Sequence, residues 1–351
     1  MPRVTLADVA RKAGVSRTAA SFVMTGRSAD MRISEAATQK VLEAAAELGY
    51  RPNLTARSLR TSKTHTIGLV SDVIATTPFA GEVIHGALDA ALARGHLLLV
   101  AETGGDSAVE ADLISEMLDR QVDGVIYAAM HTQERQPPEA LAGVPAVLIN
   151  CIAPGSQTAC VLPDEYEGGR AAATALLDSG HRDGICAIGG HHDLPHTPGG
   201  LHAGNTRMRG IEDVLGEAGA ALSFSIECQY EPEFGYRAVR ELLERGQKPE
   251  ALICLTDRLA MGAYQALGEK GLDIPHDVSV VSFDGSDLAS WLRPRVTSVA
   301  LPHYELGTIA VNALLDKPDF IGDILVSMPV RAGESIAAPS ETRDRLRRSE
   351  Q

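Results

Sequence analysis

Polar side chains recur where apolar runs stop. Asp72 follows Ile67-Gly68-Leu69-Val70-Ser71, Asn150 ends Val147-Leu148-Ile149, and Asp284 ends Val280-Val281-Ser282-Phe283. Asp164 stands between two α/β segments, Asp257 opens an amphipathic stretch where it is either a ligand group or a helix cap, and Phe79, Arg207 and Tyr230 add aromatic and cationic chemistry. A pocket for a small polar molecule needs a few convergent hydrogen-bonding groups and an apolar or aromatic wall. These eight residues are the candidate ligand-binding set. The chain has no G-x-G-x-x-G after its first strand, no Walker loop and no G-x-S-x-G, which argues against an α/β enzyme. No catalytic residue and no cofactor are expected.

A second chemistry sits at the start. In Thr5 to Met24, Thr5 caps a first helix with Asp8 three places on, Leu6, Val9, Ala10 and Ala13 recur at helical spacing, and Gly14 permits a tight turn. Ser16 caps a second helix that carries Arg17, Thr18, Ser21 and Phe22 on one face and Ala20, Val23 and Met24 on another. This is the pattern of a helix-turn-helix, whose second helix reads base edges in the major groove. Arg17, Thr18 and Phe22 are the expected readers, with Thr5, Ser16 and Ser21 as further DNA contacts.

Those groups require elements to hold them. A third helix is expected from the Ser34 cap to Leu48, with Val41, Leu42, Ala45 and Leu48 inward and Gly49 as its stop. The segment Asn53 to Arg60 is helix-compatible but too short to be stable alone. It is either an ordinary linker or a hinge that folds on DNA, in which case Leu59 wedges into the minor groove with Arg57 and Arg60 near phosphates, and Asn53 and Ala56 belong to the same contact. From His65 onward, strands are expected at Thr66-Ser71, His96-Ala101, Gly124-Ala128, Pro145-Asn150, Gly184-Ile188, Ala251-Leu255, Ser279-Phe283 and Thr297-Leu301, with helices between them. Continuous apolar strands spaced by helices imply parallel sheets covered on both faces, and the length implies two α/β subdomains with a ligand cleft between them.

Composition agrees. Of the 351 residues 44% are hydrophobic, and the net charge is −14. Residues 1–63 hold 11 basic and 5 acidic residues, the remainder 21 and 41, so a cationic head precedes a strongly acidic body. Phosphate contact needs local cations, which the head supplies. Five scattered cysteines lack metal or disulfide spacing and are expected reduced and buried. His191, His192, His196 and His202 crowd a Pro/Gly-rich loop whose spacing suits no helical metal site, so a mobile loop at the pocket mouth is expected. No signal peptide and no long apolar run are seen, and a cytoplasmic location is expected.

Taken in order, Val4-Thr5-Leu6-Ala7-Asp8-Val9-Ala10 with Gly14-Val15-Ser16, then Leu48-Gly49-Tyr50-Arg51-Pro52-Asn53, Val122-Asp123-Gly124-Val125-Ile126, Glu167-Gly168-Gly169, Gly180-His181, Thr256-Asp257-Arg258-Leu259-Ala260-Met261-Gly262 and Val278 to Asp284, the chain resembles the lactose-repressor family of bacterial transcription regulators. The resemblance implies an N-terminal all-α helix-turn-helix domain (1–52), a hinge (53–63) and a periplasmic-binding-protein-like type I core (64–340) ahead of a polar tail (341–351). It divides the core into a first subdomain of 64–162 plus 294–322 and a second of 163–293 plus 323–340. It also implies a homodimer on double-stranded operator DNA, Leu59 as the intercalating side chain, Arg207 and Asp284 as ligand-contacting charges, and Tyr230 and Phe79 as pocket aromatics. Such a carboxylate, guanidinium and aromatic suit the vicinal hydroxyls of a sugar, and a purine stacks on the same wall. The chain departs from the family at Ala19-Ala20-Ser21-Phe22, where Thr-Val-Ser-Arg is usual; a guanine-reading arginine is lost and an aromatic stands in its place.

Overall fold

The computed structural model describes residues 4–50, 63–77, 81–190, 202–316 and 320–339, in two compact units that divide after Thr64. In the first unit, α1 (Leu6–Ala13), α2 (Arg17–Met24) and α3 (Glu35–Leu48) enclose a small core of Val9, Ala10, Ala13, Ala20, Val23, Val41, Ala44 and Ala45. Its start and stop signals act as expected. Thr5 and Asp8 form a reciprocal capping box, Ser16 and Ser34 cap α2 and α3, and Gly14 (φ 68°) and Gly49 (φ 61°) turn the chain in the left-handed region. Leu42 is a correction: it is 46% exposed, and Ala44 takes the inward position, because the stripe that meets α1 and α2 runs through Val41, Ala44 and Ala45.

The second unit contains two six-stranded sheets. The first comprises β1 (Thr66–Ser71), β2 (Leu97–Glu102), β3 (Gly124–Glu134), β4 (Ala146–Ile152), β5 (Ala159–Pro163) and β11 (Gly322–Val326), ordered β11-β5-β4-β3-β1-β2 and wholly parallel. Helices α4 (Gly81–Ala93), α5 (Ser107–Asp119) and α11 (His303–Asp316) cover it. The second comprises β6 (Ile185–Ile188), β7 (Phe224–Ile226), β8 (Ala251–Cys254), β9 (Ser279–Asp284), β10 (Thr297–Ala300) and β12 (Val330–Arg331), ordered β12-β10-β9-β8-β6-β7, with only the edge pair β10·β12 antiparallel. Its helices are α6 (Glu165–Asp178), α7 (His202–Glu217), α8 (Pro232–Glu244), α9 (Asp257–Glu269) and the short α10 (Asp287–Trp291).

Each sheet is sandwiched between apolar helix faces, as the continuous apolar strands require. The chain passes between the sheets three times, after β5, β10 and β11. Two expected boundaries therefore move. Thr297–Ala300 lies in the second sheet, paired with β9, and Gly322–Val326 lies in the first, paired with β5, so the later crossings fall near 301 and 327 instead of 294 and 322. All five cysteines are free and buried. No helix among the described residues is long and apolar enough to cross a membrane.

Candidate functional site

Within the second unit, the carboxyl ends of the two sheets lie within electrostatic reach of one another. Asp72, Arg207 and Arg258 act on His131, Glu134 acts on His202, and Glu82 and Arg207 act on His303. The start of α7 touches β3 of the other sheet. His131 and Asp284 are flanked by protein on most sides and still meet solvent, as side chains lining a cleft do.

Two of the expected ligand residues brace the first lobe's rim. The pairing of β3 with β4 slips between Ala128 and Gln133, and such a bulge leaves backbone groups without ladder partners. The Met130 N–H donates to the Asp72 carboxylate at 2.9 and 3.1 Å, and Asn150 Nδ2 donates to the Ala129 carbonyl at 2.9 Å. Asp72 also accepts from the Val73 N–H at 2.7 Å. Asn150, 4% exposed and held at φ 56°, keeps its Oδ1 buried with no hydrogen-bond partner among the described residues. That atom is the free acceptor this rim offers.

In the second lobe, Arg207 and Glu165 form a buried pair, each 4% exposed. Nε and Nη2 of the arginine donate to the two carboxylate oxygens at 2.6 and 3.3 Å, and Nη1 donates to the Leu255 carbonyl at 2.7 Å. The guanidinium lies 4.7 Å from the centre of the Phe283 ring, a cation–π contact that fixes its plane. Asp284 and Tyr230 fall within reach of the same charge. Burial, then the neighbouring Asp257 carboxylate, pushes the Asp284 carboxyl up to about 7 against the pull of Arg207 and Arg258. Burial pushes the Tyr230 phenol up to about 12, and its hydroxyl has no partner among the described residues. His303, at the start of α11, is driven down to about 4, chiefly by burial and then by Arg207, and its Nδ1 is likewise unpartnered. Arg207, Asp284 and Tyr230 thus converge, with His303 of the first lobe within reach of the same arginine.

Asp257 and Asp164 have framework duties. The buried Asp257 carboxylate accepts from Ser282 Oγ at 2.5 Å, Ser298 Oγ at 2.8 Å, and the Ser286 N–H and Oγ at 2.7 and 2.8 Å, which ties β9, β10 and α9 together. Its acceptor positions are committed to the fold, and Thr256 caps α9 in its place. Asp164 caps α6 through the Glu167 N–H at 3.1 Å. Phe79 and the histidines at 191, 192 and 196 lie outside the described residues, and His202 opens α7. Glu165, Phe283, His131, His303 and Arg258 escaped the sequence reading. His303 carried the signal used for Asp72, a polar residue just beyond a strand's carboxyl end. Glu165 carried none, because its partner is 42 residues away.

In the head, Arg17 and Thr18 are exposed, and Ser21 and Phe22 are half-buried on the same helix. The Arg27 guanidinium lies 5.8 Å from the centre of the Phe22 ring, so a cation accompanies the aromatic that replaces the family's arginine. Thr5 and Ser16 spend their hydroxyls on capping. Asn53, Ala56, Arg57 and Leu59 lie outside the described residues.

A helix-turn-helix unit joined to a pair of parallel-sheet lobes with a polar cleft defines a DNA-binding regulator with an effector core. Residues 5–53 match the family described as bacterial regulatory proteins, lacI family, and residues 173–329 match the periplasmic binding protein-like domain. The chain is 32% identical over 333 residues to catabolite control protein A of Priestia megaterium, covering 93% of this chain and 97% of that protein. It is 32% identical over 317 residues to the ribose operon repressor of Escherichia coli K12, covering 89% and 92%. The structure of a transcriptional regulator CelR–cellobiose complex superposes with a TM-score of 0.65 at 28% identity, over 95% of this chain and 100% of that one. The chain belongs to the LacI family: it is a sequence-specific DNA-binding repressor under small-molecule control, and not an enzyme.

Proposed function

We propose that the protein is a cytoplasmic homodimeric repressor whose hold on a palindromic operator is set by a sugar bound between the two core lobes. The observation that carries the reading is the convergence of Arg207, Asp284 and Tyr230 at the carboxyl ends of the second lobe's strands, with His303 of the first lobe, its Nδ1 unpartnered, within electrostatic reach of Arg207. Donors and acceptors around an aromatic ring suit a polyol, whose hydroxyls both give and take hydrogen bonds. The relatives' names point the same way, since one is a ribose operon repressor and another regulator was solved with cellobiose. Arg17, Thr18, Ser21 and Phe22 read the major groove, and Asn53, Ala56, Arg57 and Leu59 supply the further contacts to DNA. Residues 1–52, 53–63 and 64–340 then serve as reader, hinge and effector core. Exposed Leu88 and Leu92 on α4, with Val100 on the same side of the adjoining edge strand β2, supply an apolar surface suited to a second copy of the chain.

The test is a band shift with DNA from the protein's own upstream region, repeated with neutral pentoses, hexoses and disaccharides. Retarded DNA that one sugar class releases or tightens supports the reading. DNA binding that no sugar alters refutes the sugar effector, and absence of any specific retardation refutes the regulator.

A further inference from the structure

The cation at the centre of the site is already neutralised from within its own lobe. We infer that Glu165 is a specificity-determining residue: by pairing with Arg207 it leaves the cleft able to bind uncharged polyhydroxylated molecules and unable to hold ligands bearing phosphate or carboxylate. This inference rests on the cleft being the effector site.

An arginine has five N–H donors. Glu165 takes two of those of Arg207 and the Leu255 carbonyl a third, which leaves two that these partners do not take. They retain directionality, but the net charge behind them is cancelled. An anion entering the cleft would meet the Glu165 carboxylate beside that cancelled cation, and above about pH 7 the ionised Asp284 as well. The other arginine nearby, Arg258, is itself bonded to Glu231 at 2.8 Å. His303 is held neutral near pH 7 by burial. A hydroxyl, in contrast, accepts from Arg207 and donates to Asp284 with no charge to compensate.

The pair is also built to stay closed. A Cβ on Gly169 of α6 would lie 2.1 Å from the Arg207 carbonyl oxygen, and one on Gly210 of α7 would lie 2.2 Å from the Tyr166 carbonyl oxygen. The two helix backbones are therefore in direct contact, which holds the backbones of Glu165 and Arg207 at a fixed separation that suits the buried pair. Glu165 consequently positions Arg207 and sets its charge, so removing it should change which class of ligand the cleft accepts.

Inorganic phosphate is the probe. It is titrated at constant ionic strength into the full-length wild type, Glu165→Gln and Glu165→Gln/Arg207→Met, and its 31P line width is followed. Phosphate bound by the cationic head is common to all three and cancels in the comparison. Wild type should match the double variant, and Glu165→Gln should bind phosphate at least about tenfold more tightly than either. Excess binding by wild type over the double variant overturns the inference, as does a folded Glu165→Gln with no gain. If Glu165→Gln does not fold, wild type against the double variant, which lacks both charges, still decides: equality supports the inference and excess in wild type overturns it. Failure of every neutral sugar to alter operator binding counts against the sugar reading, whereas phosphate binding by wild type counts against this inference alone.

Discussion

Asp284 should make the effector core less stable as pH rises through the neutral range. Its carboxyl titrates near 3.8 when unperturbed and is pushed up to about 7 in the fold, first by burial and second by Asp257, while Arg207, Arg258 and the Asp257 backbone N–H pull it down. Between those values the unfolded chain has released the proton and the folded one keeps it. The folded state thus binds more protons, and stability is lost as pH climbs from about 4 to 7 and then levels off. Three units at about 1.4 kcal/mol each set a ceiling of about 4 kcal/mol. Solvent reaches Asp284 and screens its neighbours, so about 2 kcal/mol is the expected effect. Asp284→Asn removes the titration, and asparagine tolerates the positive φ of 98° at this site better than most residues. In urea unfolding of both proteins from pH 5 to 8 at fixed ionic strength, which spans about two of those three units, the variant should gain about 1.3 kcal/mol on the wild type across the series. Parallel curves would show that the fold does not penalise the ionised carboxylate, and the reasoning would fail.

Other substitutions probe the framework and the head. Asp257→Ala strands the Ser282, Ser286 and Ser298 donors and should cost about 2–4 kcal/mol in urea denaturation, since a buried donor left unmade costs about 1–3 kcal/mol and the hydroxyls can partly redirect. Gly169→Ala forces α6 off α7 and should lower the unfolding midpoint by the equivalent of about 1–3 kcal/mol with the denaturant slope unchanged. Arg17→Ala should weaken operator binding in a band shift by about 1–3 kcal/mol and relax base preference at one position, while leaving the melting curve in place because the side chain is exposed.

The architecture was readable for most strands buried on both sides, although β5, buried at every position, went unread because its apolar run is only Cys160-Val161-Leu162. Leu252 and Ile253 of β8, or Val280 and Val281 of β9, form apolar runs that only a covered parallel strand explains. The edge strands β7 and β11 escaped because Phe224 and Leu325 are exposed and the strands are short, Phe224-Ser225-Ile226 and Ile324-Leu325-Val326, which leaves no apolar run long enough to detect. The same absence moved the crossings: with β11 unseen, nothing in the sequence tied 322–326 to the first sheet. At the site, Arg207 and Asp284 were visible as charges beside apolar elements, but their surroundings were not. Asp257 looked like a ligand group because sequence shows a carboxylate at a helix start and hides the three serines that fold over it from 25 to 41 residues away. Glu165 was hidden for the same reason, since ion pairs across packed helices obey no local spacing.

The crossings are bonded to the site, and this gives a ligand mechanical purchase. The Leu301 N–H donates to the Asp284 carbonyl at 3.0 Å, so the residue that faces the cleft also holds the strand at its exit toward the first lobe. The Ala300 N–H donates to the Pro329 carbonyl at 2.8 Å and the Asp164 N–H to the Val326 carbonyl at 2.8 Å, which joins the remaining crossings to this one. A molecule that pulls on Asp284 therefore acts on all three connections together through bonds of a few residues. In the proposed reading a lobe rotation carries the ligand's signal, and a coupling of about 1–3 kcal/mol changes operator affinity about 5- to 150-fold. The positive φ of 98° at Asp284 lies where such a bias would enter, since strain of this kind costs about 1–3 kcal/mol and a small movement of the strand end can relieve part of it.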